Sequence, residues 1–216
     1  MDKEKCELLI KALTEALEQQ KAKPGLSADA IPLGISNRHI HLSSEDLEKL
    51  FGKGYELTKI KELSQPGQFA CKETVTICGP KGAIEKVRVL GPVRKKTQIE
   101  ILSGDAFKLG VKAEVRLSGD LSGTDGITVI GPKGSVETAE GVIAAMRHIH
   151  MTPCEAASLG VKDGDIVSIR LNGKRGGTYD NVAIRATEAS ALECHLDTEE
   201  ANAMGLNSKS TVSIVK

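Results

Sequence analysis

The chain has 216 residues, and its 29 Lys plus Arg balance 29 Asp plus Glu, so it carries no broad charge of either sign for nucleic acid or an anionic membrane. With no Trp, three Phe and two Tyr it has no base-stacking platform. No apolar run nears the roughly 20 residues of a membrane helix, the start mixes acids with bases unlike a signal peptide, and five scattered cysteines without a Cys-x-x-Cys pair read as reduced thiols, so the expected setting is the cytoplasm.

Residues 3–22 carry helical periodicity, with Cys6, Leu9, Leu13, Ala16 and Leu17 at spacings of three and four between Lys and Glu. Lys23-Pro24-Gly25 ends that segment, so residues 1–27 read as an amphipathic helix and linker, packed on its own domain or docked on a partner. From Ile31 the pattern changes to short β-type runs divided by Gly, Pro and Asn, such as Val75–Ile77, Val87–Val89, Ile127–Ile130, Ile166–Ile169 and Thr211–Ile214. The predicted fold is mainly β. Val75–Glu85 is echoed by Ile127–Glu137 with Gly-Pro-Lys-Gly in both, which predicts two hairpins.

A second repeat is a strand, a short helix and another strand. Its helices are predicted to be capped by Ser43, Ser103, Thr152 and Asp197, and a Gly follows each one. One such unit cannot bury its apolar face alone, so four of them predict two small β-barrels with short helical caps. Arg38-His-Ile-His41 recurs at Arg147-His-Ile-His150 with an offset unlike that of the hairpin pair, so the barrels are expected to be interleaved. The expected division gives 28–37 and 146–216 to the first barrel, and 38–145 to the second with a lid insertion around 52–72.

All five histidines fall in three places: His39 and His41, His148 and His150, and His195. The last of each group stands two residues before a predicted cap. Strand geometry turns both members of a His-x-His pair to one face, where they can share an ion. Glu100 stands one position off that register in the unit that lacks His. Five imidazoles and a carboxylate suit divalent zinc above all, with Co, Ni or Fe(II) as alternatives, and six ligands divide between two ions. A single strand histidine is commonly just a buried, hydrogen-bonded ring; confinement to equivalent corners argues for metal. Cys154 and Cys194 rank lower as ligands, since Cys194 should face away from His195.

No nucleophile elbow, P-loop or dinucleotide fingerprint is present. Arg94, just upstream of Glu100, can hold phosphate by a bidentate fork or be an ordinary solvated charge. Lys81 and Arg88 flank the first hairpin and could meet a phosphorylated cofactor. Gln65-Pro-Gly67 is either a lid tip or a surface turn.

Ile35-Ser-Asn-Arg-His-Ile-His-Leu-Ser43, Gly91-Pro-Val-Arg94, Glu100 and Arg147-His-Ile-His-Met151 together resemble the PduL-type phosphate propanoyltransferases, phosphotransacylases often associated with bacterial microcompartments. The resemblance runs from about Ile31 to Lys216. It implies two β-barrels with the first strand joining the C-terminal one, and two metal ions, usually zinc, in the cleft between them. His39, His41 and Glu100 match the ligands of the first ion, His148, His150 and His195 those of the second, and Arg94 the phosphate-binding arginine. Coenzyme A contacts would fall at Gly34, Ile35, Ser36, Lys81, Arg88 and Asn202, with Gln65-Pro-Gly67 as the lid. Residues 1–22 look like an encapsulation peptide that contacts a microcompartment shell or cargo, which would place the protein in that lumen. The implied partners are acyl-CoA, phosphate and acyl phosphate, with a homodimer as the candidate assembly. The implied reaction is direct, metal-assisted and reversible transfer between acyl-CoA plus phosphate and acyl phosphate plus CoA. Its rivals are a metal-dependent hydrolase of thioesters or acyl phosphates and a metal-stapled assembly scaffold.

Overall fold

A computed structural model describes residues 30–215; the predicted N-terminal helix lies outside the described residues. Fifteen strands and four short helices alternate along them. Six strands close a barrel: β1 (Ile31–Ser36), β11 (His148–Met151), β12 (Ile166–Leu171), β13 (Gly177–Ala186), β14 (Glu193–Asp197) and β15 (Thr211–Val215), in the order β1-β14-β11-β13-β12-β15. The first strand therefore crosses to the C-terminal strands, pairing parallel with β14 and antiparallel with β15.

The remaining strands form one nine-stranded sheet. They are β2 (His39–His41), β3 (Lys59–Glu62), β4 (Phe69–Gly79), β5 (Gly82–Gly91), β6 (Gln98–Glu100), β7 (Glu114–Arg116), β8 (Thr128–Ile130), β9 (Ser135–Glu137) and β10 (Val142–Ala145). Its order is β7-β10-β6-β2-β5-β4-β8-β9, with β3 paired to β4 off that path. The repeated Gly-Pro-Lys-Gly segments turn the β4–β5 and β8–β9 hairpins, and the two hairpins pair through β4 and β8. This second unit is thus a long sheet running from β7 to β9, whereas the sequence predicts a second barrel.

Each unit has its own core. Ile149, Met151, Ile169, Leu171, Ile184 and Cys194 fill the barrel. Ile40, Leu42, Val75, Ile77, Val89 and Ile99 lie at the centre of the other. The alternation along β4 shows why: Cys71, Glu73, Val75 and Ile77 are buried while Lys72 is exposed.

The helices are α1 (Ser44–Phe51), α2 (Ser103–Leu109), α3 (Pro153–Leu159) and α4 (Thr198–Met204). Ser43, Thr152 and Asp197 cap α1, α3 and α4, each side chain accepting a backbone N–H at the third helical residue. At α2 the structure corrects the sequence. The cap position is Leu102, Ser103 is the first helical residue, and Asp105 reaches back to accept the Leu102 N–H at 3.1 Å. Gly110, Gly160 and Gly205 end α2, α3 and α4 in the left-handed region, at φ 75°, 68° and 66°. Among the described residues no helix is long and apolar enough to cross a membrane.

Candidate active site at the seam

The same alternation that builds the cores aims the histidines. Within His39-Ile40-His41 and His148-Ile149-His150 the isoleucines are fully buried, so the flanking imidazoles turn together away from the core. Antiparallel pairing then brings in the third member of each group: β6 sets Glu100 opposite His39, and β14 sets His195 opposite His148. With the α2 cap at Leu102, Glu100 stands two residues before it, as His41, His150 and His195 stand before theirs. The one-position offset predicted for Glu100 came from misplacing that cap.

Both groups open on one cleft of about 290 Å³ between barrel and sheet. The donor atoms of His148, His150 and His195, and separately of His39, His41 and Glu100, lie within 4.8 Å of one another. The three barrel rings stand 4.8–5.0 Å apart between centroids, edge to face. Glu100 Oε2 lies 3.4 Å from His39 Nε2, and its Oε1 lies 3.9 Å from His41 Nε2.

Outer contacts orient these rings. His39 Nδ1 bonds the Asn37 carbonyl at 2.8 Å and His148 Nδ1 the Met146 carbonyl at 2.7 Å, which leaves Nε2 of each as the free lone pair. His195 Nε2 lies 2.6 Å from Glu193 Oε2. His41 Nδ1 is buried without a hydrogen-bond partner among the described residues.

Electrostatics keep His41, His148, His150 and Glu100 in ligating form. Burial pushes His41 down to about 3, His148 to about 4 and His150 to about 3, with neighbouring imidazoles adding to the effect, so these three are neutral at pH 7. Burial also lowers His39, but the Glu100 carboxylate outweighs it and the net shift is upward. Burial raises Glu100, yet His39, His41 and Arg94 together hold it well below the usual carboxylate range. Two sets of three N or O donors, each gathered within 4.8 Å, fit divalent cations of borderline softness.

Arg94 reaches the same cleft. Its N–H donates to the Leu42 carbonyl at 2.8 Å, and its Nη1 donates to Ser118 Oγ at 2.8 Å. Gln98 Nε2 donates both to that Oγ at 2.8 Å and to Glu100 Oε1 at 2.6 Å, so one polar chain links Arg94 to the first donor group. The sequence singles out neither Gln98 nor Ser118. Arg185 and Gln68 also line the cleft, and Glu193 backs His195, without any motif marking them.

Pro66 and Gly67 form an exposed turn, but Gln65 beside them is buried. It is 7% exposed, its Nε2 donates to the Ala191 carbonyl at 2.9 Å, and the Ala191 N–H donates back to its Oε1 at 3.3 Å. Ser64 donates to Glu193 beside it. The β3–β4 connection is thereby fastened to the barrel beside the cleft, which Gln65 and Gln68 line. Gly34, Ile35 and Ser36 line a smaller hollow next to His195 and Glu193. Lys81, Arg88 and Asn202 lie outside the central cleft: Lys81 sits over the Phe107 ring at 5.5 Å, Arg88 donates to the Cys71 and Lys72 carbonyls, and Asn202 is exposed on α4. Cys194 is fully buried in the barrel core with its thiol pushed up to about 12 by burial, as its strand position next to His195 implies, and Cys154 is exposed on α3.

Residues 32–207 match the family model described as phosphate propanoyltransferase. The chain is 53% identical over 209 residues to a phosphate propanoyltransferase of Rhodobacter capsulatus, covering 97% of each. It is 56% identical over 209 residues to one of Thermotoga maritima, covering 96% of this chain and 97% of the relative. It is 47% identical over 216 residues to one of Lachnoclostridium phytofermentans, covering 100% of both.

Proposed function

The chain belongs to the phosphate propanoyltransferase family, and from that premise we propose that it interconverts a short-chain acyl-CoA and phosphate with acyl phosphate and CoA by direct transfer in the seam cleft. The observation that carries this is the convergence of two three-donor groups and a half-buried arginine on one small cavity. Bound at His39, His41 and Glu100 and at His148, His150 and His195, two divalent ions, zinc by donor chemistry, would supply Lewis-acid stabilisation of charge developing on sulfur and oxygen.

The protein's own residues do the rest. Arg94, half-held by Ser118, offers its remaining N–H groups to phosphate and fixes one phosphate oxygen toward the thioester carbonyl. That oxygen forms the new C–O bond, the C–S bond breaks, and the sulfur leaves with the electron pair as the CoA thiolate. Gln65, tied to Ala191 at the cleft wall, would help exclude bulk water from the bond being made. No protein acyl intermediate is invoked: Cys71 and Cys194 are buried with their thiols pushed up to about 11 and about 12, far from nucleophilic thiolates at pH 7. Gly34, Ile35 and Ser36 would guide the thiol end of CoA, and Lys81, Arg88 and Asn202 its distant portion. Residues 1–22 would serve as an encapsulation segment for a microcompartment lumen.

The test is product analysis. Acyl-CoA with phosphate should yield acyl phosphate and free CoA in equal amounts, with no CoA released when phosphate is omitted. Release of CoA that ignores phosphate would make the protein a thioester hydrolase instead.

A further inference from the structure

Arg185 belongs to no motif in the sequence, and the scheme above gives it no task. It lies on β13, where the parallel ladder to β11 sets it directly opposite His150. Residues paired across a ladder share a face, so Arg185 enters the cleft from the barrel wall, whereas Arg94 enters from the sheet. Arg94, Arg185, His148 and His150 thus line one and the same cleft.

Other arginines of comparable exposure are already bound. Arg38 Nε holds Asp105 at 2.6 Å, and Arg147 Nε holds Glu200 at 2.5 Å. Arg185 has no such side-chain partner among the described residues, although it is only partly exposed. Arg94 spends one nitrogen on Ser118 and keeps the others free. Two guanidinium groups directed into one cavity repel each other and lose hydration, and a small dianion between them relieves both costs.

We infer that Arg185 is a second phosphoryl-binding residue, gripping phosphate and acyl phosphate from the barrel side while Arg94 grips from the sheet side. The identity of the anion rests on the phosphate acyltransferase reading; the need for an anion rests on the geometry. The diphosphate of CoA has the same chemistry, but Arg185 stands opposite His150 and lines the central cleft, which Lys81 and Asn202 do not. Phosphate would therefore be shared by both units, and neither unit alone would complete the site.

The test compares the wild-type protein, as purified with its metal, with R185A and the charge-keeping R185K. In turnover R185A should raise KM for phosphate roughly 10- to 100-fold, the loss expected for one charge-assisted contact, with KM for acyl-CoA and metal content little changed. R185K should recover part of that loss, which a merely structural residue would not do. Unchanged phosphate KM, or a rise confined to acyl-CoA, would overturn the assignment, and the second result would move Arg185 to the CoA diphosphate. If R185A does not fold, R185K and R185Q decide by the same two constants. Calorimetric titration of inorganic phosphate without acyl-CoA separates this inference from the reaction: a wild type that binds phosphate, loses it in R185Q, yet never forms acyl phosphate would uphold the grip and reject the transferase. A wild type and variants with equal phosphate affinity would reject the grip whatever the reaction proves to be.

Discussion

A Cβ added at Gly34 would stand 2.8 Å from the Glu193 carboxylate and 2.9 Å from His195 Cδ2. Neither neighbour can yield freely, because Glu193 contacts His195 Nε2 and accepts from Ser64. Gly34→Ala should therefore displace His195 and cost about 1–3 kcal/mol of stability, as overpacking does. Metal analysis should show the three-histidine group weakened and the His39, His41, Glu100 group retained; full occupancy of both would contradict this account of Gly34. Glu73 supplies a second test, away from the cleft. Its carboxylate accepts from Tyr55 Oη at 2.9 Å and from the Thr58 N–H at 3.1 Å. Burial raises its pKa, but these bonds outweigh burial and hold it below the usual carboxylate range. A pKa depressed by folding stabilises the native state above the unfolded value, about 4.3, and that contribution disappears as pH falls through the folded value. Glu73→Gln should lower stability at pH 7 by about 1–3 kcal/mol and shrink its loss below about pH 4. Thermal unfolding from pH 7 to pH 2 checks both, and superimposable acid limbs would contradict the assignment. Four of the six candidate donors are legible in the sequence because His-Ile-His alternation declares its own faces, and His195 and Glu100 because each stands close before a helix start. Arg185 could not, because its neighbour His150 is set by a ladder between distant strands.

The two Arg-His-Ile-His segments are held in matching ways. Arg38 pairs with Asp105 and Arg147 with Glu200, and both carboxylates occupy the third position of a helix, where they also accept the cap N–H. One acid thus closes a helix N-terminus and anchors the arginine before a histidine pair. Asp105→Ala removes both functions, and since Asp105 is 9% exposed it should destabilise the protein by about 2–4 kcal/mol in urea unfolding. A change below about 0.5 kcal/mol would show that the pair does not hold β2 and α2 together. Ser43, Thr152 and Asp197 were readable as caps because their own side chains do the capping. At α2 the apolar Leu102 takes that position, and the capping group sits inside the helix, where a search for a cap residue settles on Ser103 one place too late. That error alone put Glu100 out of register with the histidines.

The unequal repeat offsets announced the crossover of β1 into the C-terminal strands, because a simple tandem would have kept one spacing. Closure was harder to read. Whether a set of strands forms a barrel depends on pairing of its first and last members, which composition and alternation leave undetermined. The barrel closes through β1 with β14 and β15, whereas the other unit runs on as a long sheet from β7 to β9. The crossover nonetheless brings the two donor groups to one seam, and the Gln65 contacts tie the sheet to the barrel above it. The most direct measurement is therefore metal stoichiometry on purified protein, taken together with His39→Ala and His148→Ala. Two ions per chain in the wild type and one in each variant, each variant losing a different ion, is the predicted result. A wild type that binds none after metal loading, or variants that keep both, would contradict it.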